Sequence, residues 1–525
     1  MTERFDLAIV GSGFGGALLA AIARRIGLTV VLLEKGSHPR FAIGESTSPL
    51  ANIVLETLAR RYALPEVAAL ARWGTWQRRH PKLAGGIKRG FTFYGHGPGS
   101  PLSATAGRAE QLLVAASPND EVADTHWYRA DVDAFLVEQA REAGARYVDR
   151  AALEPPSFDP EGVRLGGVRN GRPLAFRARL LVDASGPRGY LHRAGIFSES
   201  ALPDMAATHA LYSHFHGVGR VEDLGVNGGE TPPYPPDDAA LHHVFPGGWI
   251  WVLRFNNGVT SAGAAISPAL AREIGAGEGE AAWHRLTARF PAIARQFARS
   301  AAIRPFAHVA SLPYRAARGA GPGWILLPSA AAFVDPLLST GFPLTLLGVE
   351  RIASALETAW DTGDLDARLE AIASETLAEA DRTARLIGAL WRCLDDFETF
   401  ATMTMFYFAA ASFAEASRRL GRPENGSSFL AGDDPAFQGA LGRAADRLRS
   451  PGPPGRAWSD DIRASIARRN VAGLLEPERR NWYPVEAEDL RAGAGRLGAT
   501  RAEIEEILLA SDRSGRVRAR PDAMA

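Results

Sequence analysis

The sequence predicts an α/β fold, and three features lead to that prediction. Residues 5–34 have the pattern of a strand, a glycine-rich turn, a helix and a second strand, which is a βαβ unit of ordinary length. Similar strand and helix patterns return at 128–183 and at 324–360. Between about 200 and 305 the pattern changes to alternating strands. We therefore expect a Rossmann-type α/β domain with an inserted β-sheet domain and a helical C-terminal region.

The length of 525 residues favours several substructures over one compact core. We predict that residues 1–195 and 306–390 form the Rossmann-type domain and that residues 196–305 form a substrate-binding sheet domain. Residues 391–525 are mainly helical in pattern, and the sequence assigns them no role. The apolar stretch 403–413 is well short of the roughly 20 residues that a membrane span needs, so it predicts a buried helix.

Composition and charge narrow the class of function. Lysine plus arginine and aspartate plus glutamate each total 59, and this balance favours neither nucleic acid nor an anionic membrane as a partner. Cys393 is the one cysteine, which excludes an intramolecular disulfide and an all-cysteine metal site. The N-terminus has neither a basic region nor a signal-type cleavage site. We expect a cytoplasmic protein with a small-molecule ligand, no membrane span and no metal site.

The glycine-rich turn of the first βαβ unit predicts a dinucleotide site. Gly11, Gly13 and Gly16 let the backbone turn sharply, approach a pyrophosphate and pack the helix against the sheet. The helix N-terminus offers amides and a positive dipole to phosphate. Glu34 closes the second strand, where an acid accepts hydrogen bonds from a ribose. The other predicted contacts here are Phe14, Gly15 and Lys35. These features leave NAD and FAD both open.

Two later segments distinguish FAD from NAD as the cofactor. Residues 181–187, Leu-Val-Asp-Ala-Ser-Gly-Pro, resemble the second nucleotide-contact strand of FAD-dependent oxidoreductases, and residues 333–341 resemble their flavin-contacting loop. In place of the Gly-Asp that these enzymes carry before an alanine-rich stretch, this chain has Pro328-Ser329. The resemblance implies FAD, with cofactor contacts at Arg129, Asp183, Gly186, Asp335 and Gly341.

Further motifs resemble those of the flavin-dependent halogenases, in the same order along residues 5–390. They are Gly-Glu-Ser within 43–49, Gly-Gly-Ile-Lys at the start of 85–93, Trp-Ile-Trp within 248–253, and Ser-Thr-Gly at 339–341. The resemblance implies Lys88 as the catalytic lysine, Ser46 and Thr47 as cofactor contacts, Thr340 and Gly341 as a halide site through their amides, and Trp249, Trp251 and Ser339 along the substrate tunnel.

The resemblance also implies a reaction. Reduced FAD, supplied by a separate NAD(P)H flavin reductase, would use O2 and chloride or bromide to give hypohalous acid, which Lys88 holds for an electron-rich aromatic or heteroaromatic substrate, free or tethered to a carrier protein. The tryptophan-specific branch has a glutamate just before Ser-Thr-Gly, whereas this chain has Leu338. A phenol or a pyrrole is therefore favoured over free tryptophan.

Structural interpretations of the same residues stand beside these functional ones. Lys88 could be a solvated lysine that follows a Gly-Gly turn, and Arg129 could belong to a solvated helix start. Trp249 and Trp251 could be ordinary core residues, since alternation places both on one face of a strand.

Two alternative functions also remain open at this stage. One is a flavin hydroxylase or geranylgeranyl-reductase-like enzyme, for which Lys88 would be dispensable. The other is a degenerate flavin-fold binding module, which FAD binding would test.

Overall fold

The structure, a computed structural model, describes residues 2–99, 108–225 and 230–515, with side chains up to residue 509. Strands and helices alternate in the first part of the chain, and the part after about residue 340 is mainly helical. In the described ranges the helices of six residues or more are Phe14–Ile26, Pro49–Arg61, Trp73–Arg79, Arg129–Glu142, Pro268–Glu273, Glu280–Thr287, Pro291–Phe297, Gly341–Ala359, Leu365–Trp391, Phe397–Arg419, Pro435–Arg447, Arg456–Ile466, Ala487–Gly493 and Arg501–Gly515.

The first sheet is parallel at its centre. Strand Glu3–Val10 lies between Arg172–Asp183 and Val30–Leu33, and all three run in the same direction. Within the described residues the strand order is Ala320–Gly321, Trp324–Leu326, Arg172–Asp183, Glu3–Val10, Val30–Leu33 and Arg146–Val148, with Gly162–Arg169, Ala151–Leu153 and Ser157–Asp159 joined along one side. Helix Phe14–Ile26 connects the first two strands in sequence. The predicted Rossmann-type α/β architecture is confirmed.

Both faces of this sheet are covered. Leu7 and Ile9 pack in the core cluster that contains the first helix, whereas Ala8 and Val10 pack in a separate cluster on the other face. Successive side chains of a strand point to opposite faces, so an uninterrupted apolar run is what a doubly covered parallel strand requires.

The second sheet is mainly antiparallel, with Ala240–Phe245 parallel to Gly90–Gly95. Within the described residues its order is Ala301–Ala302, His209–His216, Thr260–Ile266, Gly248–Arg254, Ala240–Phe245, Gly90–Gly95, Gln111–Ala115 and Trp482–Tyr483, and Ala307–Val309 also pairs with His209–His216. The predicted range 196–305 thus contributes the central strands. Strands Gly90–Gly95 and Gln111–Ala115 and the late strand Trp482–Tyr483 extend the sheet beyond that range.

The late helices pack against the Rossmann-type part. Helix Phe397–Arg419 contains the apolar stretch 403–413, and Met403, Met405 and Tyr407 within it are buried in the same cluster as the first helix. The predicted buried helix is therefore confirmed. Across the described ranges, no helix combines the length and apolarity needed to cross a membrane. The last ten residues of the predicted helical region, 516–525, lie outside the described residues.

Candidate active site

The glycine-rich turn begins where three parallel strands end together. Val10 pairs with Leu33 on one side and with Asp183 on the other. Gly11 follows with φ +103°, and a Cβ there would lie 2.5 Å from the carbonyl oxygen of Ala184. Only glycine combines this backbone angle with that close approach, so the residue type at position 11 is dictated by the turn.

The helix after the turn starts without a side-chain cap. Gly13 precedes Phe14–Ile26, and no side chain of the described residues accepts a hydrogen bond from the first turn. A Cβ on Gly16 would lie 2.1 Å from the Gly11 carbonyl oxygen, whereas a Cβ on Gly13 would lie 3.4 Å from Arg129 Nη2, its nearest neighbour. The first amides of a helix lack intrahelical acceptors, so this start suits a phosphate.

Glu34 lies beside the turn in a dense polar network. Its Oε2 accepts hydrogen bonds from the Ser12 amide at 3.1 Å and the Ser12 hydroxyl at 2.9 Å, and its Oε1 accepts one from the Gly36 amide at 2.9 Å. Burial alone would raise the pKa of Glu34, but the Gly36 hydrogen bond and the charge of Arg40 lower it overall. Glu34 is therefore an ionised acceptor at the position predicted for ribose binding.

Arg129 connects segment 43–49 to helix Arg129–Glu142 through hydrogen bonds. Its Nε and Nη2 donate to the two carboxylate oxygens of Asp133 at 2.7 and 2.8 Å, and its Nη1 donates to the carbonyls of Ile43 and Gly44 at 3.1 and 2.9 Å. Arg129 is 7% exposed and Asp133 0%. The interpretation of Arg129 as part of a solvated helix start is therefore wrong.

Asp183 and Asp335 hold backbone loops in shape. Asp183 accepts hydrogen bonds from the amides two and eight residues later at 2.9 and 2.8 Å. Asp335 accepts one from the Leu337 amide at 2.9 Å and one from the Trp391 indole at 3.2 Å. Burial raises the pKa of both carboxyl groups, that of Asp335 to about 7. Their contribution to cofactor binding would therefore come through the loops that they position.

The residues present fit a dinucleotide. Cβ atoms added at Gly186 and Gly341 would meet no atom within 4 Å, so backbone is open to a ligand at both positions. Two uncapped helix starts, at Phe14 and at Gly341, offer amides to anionic groups. The Lys35 side chain is exposed at the edge of this region. The ionised Glu34 completes a set of donors and acceptors that matches phosphates and a ribose.

Stacked aromatic rings bring the two helix starts together. The Phe14 and Phe342 rings stack with centroids 4.4 Å apart, and Trp127 packs edge-on against both, at 5.8 and 5.0 Å. Helix Gly341–Ala359 packs against the first helix, and a Cβ on Gly15 would lie 2.8 Å from Thr345 Cγ2. The predicted phosphate loop and the predicted halide loop therefore lie at the same end of two packed helices.

Lys88 lies at the end of a short two-stranded ribbon. Gly85–Lys88 pairs antiparallel with Asp124–Trp127, with Lys88 opposite Asp124 and Gly86 opposite His126. The Gly-Gly pair is therefore part of a strand, and its interpretation as a simple turn is wrong. Opposed and alternate residues of a ribbon share a face, so Lys88, Asp124 and His126 project to the same side.

The ammonium group of Lys88 is enclosed by neutral oxygen atoms and an aromatic ring. Nζ donates to Ser46 Oγ at 2.9 Å, to the Thr47 carbonyl and, at 3.4 Å, to Ser339 Oγ. It also lies 3.7 Å from the centroid of the Phe91 ring. Lys88 is 0% exposed, so the solvated-lysine interpretation is wrong. Three predicted segments thus meet at one nitrogen atom.

The electrostatics of this site follow from its burial. Burial lowers the pKa of Lys88 to about 7, although the carboxylate of Asp124 opposes that change. Burial also lowers the pKa of His126 and of His242 to about 3, with the charge of Lys88 adding to the effect. Both imidazoles are therefore neutral at neutral pH, whereas the Lys88 amine can gain or lose a proton there.

The loop predicted to bind halide, residues 338–341, has an unusual backbone. Leu338 and Ser339 have φ of +64° and +55°. Residues other than glycine rarely adopt such angles unless the surrounding structure compensates for the strain. Thr340 then precedes helix Gly341–Ala359, whose first turn is uncapped by side chains of the described residues. The loop directs the Ser339 hydroxyl to Lys88 and leaves the helix amides beside it.

The two predicted tunnel tryptophans lie in the second sheet. Trp249 and Trp251 are buried in strand Gly248–Arg254, with ring centroids 5.8 Å apart. Trp249 contacts His242, whose ring stacks on Phe93 at 4.4 Å. This aromatic layer continues to Phe91, which carries Lys88 on its ring face. Burial of the tryptophans fits both core packing and a tunnel wall.

Sequence reasoning missed several site residues. Asp124 and His126 precede Arg129 in the chain, but only the ribbon register places them beside Lys88. Glu45 and His214 also form a buried pair, with His214 Nε2 2.8 Å from Glu45 Oε1, which joins segment 43–49 to the second sheet. No local pattern signals such long-range pairs, since the partners are far apart in sequence.

We expect Gly86→Ala to destabilise the site. A Cβ at Gly86 would lie 1.9 Å from the carbonyl oxygen of Arg254, so the ribbon must shift, at a cost of about 1–3 kcal/mol. Thermal unfolding should show a lower melting temperature, and an activity assay should show that activity is lost. Gly363→Ala is the matched control, since its Cβ would meet no atom within 4 Å. Equal melting curves for the two variants would contradict the close packing at Gly86.

The comparisons with known proteins agree with this geometry. A model of the NAD(P)-binding Rossmann-like domain matches residues 9–71. Monodechloroaminopyrrolnitrin halogenase PrnC of Pseudomonas fluorescens is 28% identical over 408 residues, which cover 75% of this chain and 69% of PrnC. Tetracycline 7-halogenase of Kitasatospora aureofaciens is 32% identical over 356 residues, which cover 65% of this chain and 61% of that protein. The aligned stretches leave about a third or more of each relative unmatched.

The fold is also similar to that of a solved halogenase. The crystal structure of halogenase PltM in complex with phloroglucinol and FAD superposes with a TM-score of 0.79 at 23% identity, over 91% of this chain and 98% of PltM. At 23% identity this likeness shows a shared overall fold.

Proposed function

We propose that this chain, a member of the flavin-dependent halogenases, uses Lys88 to hold hypohalous acid for transfer of halogen to an electron-rich aromatic ring. Flavin-dependent halogenases use FAD and halide. The observation that carries the proposal is the enclosure of Lys88 Nζ between segment 43–49 and the Ser339 loop. A lysine with no exposed surface needs a reason to be buried, because burying an ammonium is costly.

The choice of lysine itself supports this role. Only three of the 59 basic residues are lysines, Lys35, Lys82 and Lys88, so arginine is the usual cation of this chain. An arginine cannot lose its proton in a protein, whereas a buried lysine readily shifts its pKa. Of lysine and arginine, position 88 therefore carries the one that can serve as a proton donor near neutral pH.

Reduced FAD, when bound, supplies the means to convert oxygen and halide to hypohalous acid. The chain's contribution begins with the start of helix Gly341–Ala359, where the amides of Thr340 and Gly341 would hold the halide. Glu34, the Gly13 turn and Gly186 would hold the cofactor's nucleotide part. A separate NAD(P)H-dependent reductase would provide the reduced cofactor.

Lys88 then binds the hypohalous acid and donates a proton to it. Its ammonium donates a hydrogen bond to the oxygen of hypohalous acid and keeps the reagent from diffusing away. A ring carbon of the substrate forms a bond to the halogen while the halogen–oxygen bond breaks. The departing oxygen takes the proton of Lys88 and leaves as water, and the proton lost from the ring carbon restores the ammonium.

The substrate would be a phenol or a pyrrole. Leu338 stands where the tryptophan-specific branch has a glutamate, so this position offers no carboxylate to the charge that develops on a substrate. Such a site depends on a ring that is already electron-rich, since it offers little stabilisation to an indole cation. Free tryptophan is therefore a poor substrate.

The test is a substrate panel. Purified protein would be incubated with FAD, an NADH-driven flavin reductase, oxygen and either bromide or chloride, and phenols, pyrroles, free tryptophan and a carrier-bound pyrrole would be screened by mass spectrometry. We expect halogen isotope patterns in a phenol or a pyrrole, and comparison of free and carrier-bound rings would identify the form that is accepted. Oxygenated or reduced products alone would contradict the proposal and favour a hydroxylase or reductase.

A further inference from the structure

Asp124 is a buried carboxyl group opposite the catalytic candidate. Lys88 and Asp124 are directly opposed in the antiparallel ribbon, so their side chains leave the same face from neighbouring Cβ atoms. Asp124 is only 5% exposed, and burial raises the pKa of its carboxyl group, whereas the charge of Lys88 opposes that rise. All hydrogen-bond acceptors of Lys88 Nζ in the described structure are uncharged, namely Ser46 Oγ, the Thr47 carbonyl and Ser339 Oγ. The ammonium therefore depends on Asp124 for a compensating charge.

One carboxyl oxygen of Asp124 accepts a hydrogen bond from the side-chain amide of Asn52. Asn52 Nδ2 donates to Asp124 Oδ1 at 2.7 Å and to Thr47 Oγ1 at 3.1 Å, which links the carboxyl group to the segment that accepts from Lys88. Asp124 Oδ2 has no hydrogen-bond partner among the described residues. A buried carboxylate oxygen without a partner is costly, and the nearby ammonium offsets this cost by charge attraction.

We propose that Asp124 is a positioning residue that acts through Lys88 and keeps its amine protonated in the buried site. The inference rests on the proposed function, in which the ammonium is the form that donates a proton to the departing oxygen. Asp124 does not touch the substrate or the halogen in this account. It determines the pH range over which the Lys88 ammonium is present and can donate a proton.

His126, His242 and Tyr407, which face the pair, do not change charge near neutral pH. Burial lowers the pKa of His126 and His242 to about 3 and raises that of the Tyr407 hydroxyl. Glu415 and Arg419 on helix Phe397–Arg419 lie near Asp124 but bond to each other at 2.8 Å, so their charges largely cancel. Burial raises the pKa of Asp335 to about 7, but Asp335 is the same in every variant compared.

Asp124→Asn is the decisive variant. An asparagine keeps the size of the side chain, and its carbonyl oxygen can still accept the hydrogen bond from Asn52, so only the charge is lost. An opposite charge within about 4–6 Å favours the charged form of an ionisable group and changes its pKa by roughly one to three pH units. Without it the ammonium of Lys88 should lose its proton at lower pH. Asp120→Asn is the control, because it neutralises an exposed carboxylate that pairs with Arg89, next to Lys88.

Two readouts separate this inference from the proposed function. With only three lysines in the chain, lysine labelled with 13C at Cε gives three NMR signals, and the Lys88 signal is identified by its loss in Lys88→Met. We expect Asp124→Asn to lower the pH of the Lys88 titration by roughly one to three pH units, and to move the alkaline limb of the halogenation rate in the same direction. Asp120→Asn should move neither.

The possible outcomes separate the inference about Asp124 from the proposed halogenase function. An unchanged Lys88 titration in Asp124→Asn would overturn the inference whether or not the wild type halogenates. A shifted titration with an unshifted alkaline limb, or a rate reduced equally at every pH, would overturn the role of Asp124 in the reaction. Failure of the wild type to halogenate any ring, with a shifted titration, would reject the proposed function while confirming that Asp124 controls Lys88.

Discussion

Gly13→Val should abolish FAD binding while leaving the protein folded. The new Cβ would lie 3.4 Å from Arg129 Nη2, its nearest neighbour, and Gly13 has φ −66° and ψ 174°, which valine adopts readily. The added methyl groups would occupy the space through which a pyrophosphate reaches the helix amides. Loss of several charge-assisted hydrogen bonds, each of about 1.5–3 kcal/mol, predicts an affinity lower by a factor on the order of 100 or more.

Calorimetric or fluorescence titration of FAD would measure this loss, and circular dichroism would verify the fold. Gly363→Ala serves again as a control that should bind FAD normally. Gly16→Ala would be a poor substitute, since its Cβ would overlap the Gly11 carbonyl oxygen and disturb the fold itself. An FAD titration of Gly13→Val that matches the wild type would refute the placement of the pyrophosphate at this turn.

Lys88→Met should abolish halogenation without preventing FAD binding. Methionine has a similar length and suits a buried, aromatic-lined site, and removing a buried cation is often tolerated when an apolar side chain of similar volume replaces it. Loss of a proton-donating group typically costs a factor of about 10²–10⁴ in rate. Reduced flavin should still be consumed by oxygen, with release of hydrogen peroxide in place of halogenated product.

Lys88→Arg extends this prediction. The guanidinium keeps a positive charge but does not release its proton, and its planar fork is larger than the single Nζ atom that the oxygen atoms of Ser46, Thr47 and Ser339 surround. We therefore expect this variant to be as inactive as Lys88→Met. Substantial halogenation by either variant, at the regioselectivity of the wild type, would mean that another group holds the acid.

Much of the nucleotide half could be predicted from the sequence, because its signals are local. The Gly11 turn, the following helix and Glu34 lie within one βαβ unit, where spacing alone determines the geometry. Local patterns are informative there because each element makes its key contacts with its neighbours in sequence.

The surroundings of Lys88 could not be predicted in the same way. Its partners come from segment 43–49, from the strand that contains Asp124 and from the Ser339 loop, and only the folded register unites them. The sequence also left Lys88 open to a solvated interpretation, since its neighbours Arg89 and Gly86 look like surface and turn residues. The second sheet likewise takes strand Trp482–Tyr483 from a region of no predicted role.

The most direct test of the central claim is the product formed by the purified chain with reduced FAD and an electron-rich phenol or pyrrole. The reaction would be run in chloride, in bromide and in halide-free buffer, always with catalase to remove leaked peroxide, and analysed by mass spectrometry. Our account predicts a product whose isotope pattern follows the halide supplied, which survives catalase and disappears in Lys88→Met. An oxygenated product in all three buffers, or a halogenated product that catalase abolishes, would contradict it.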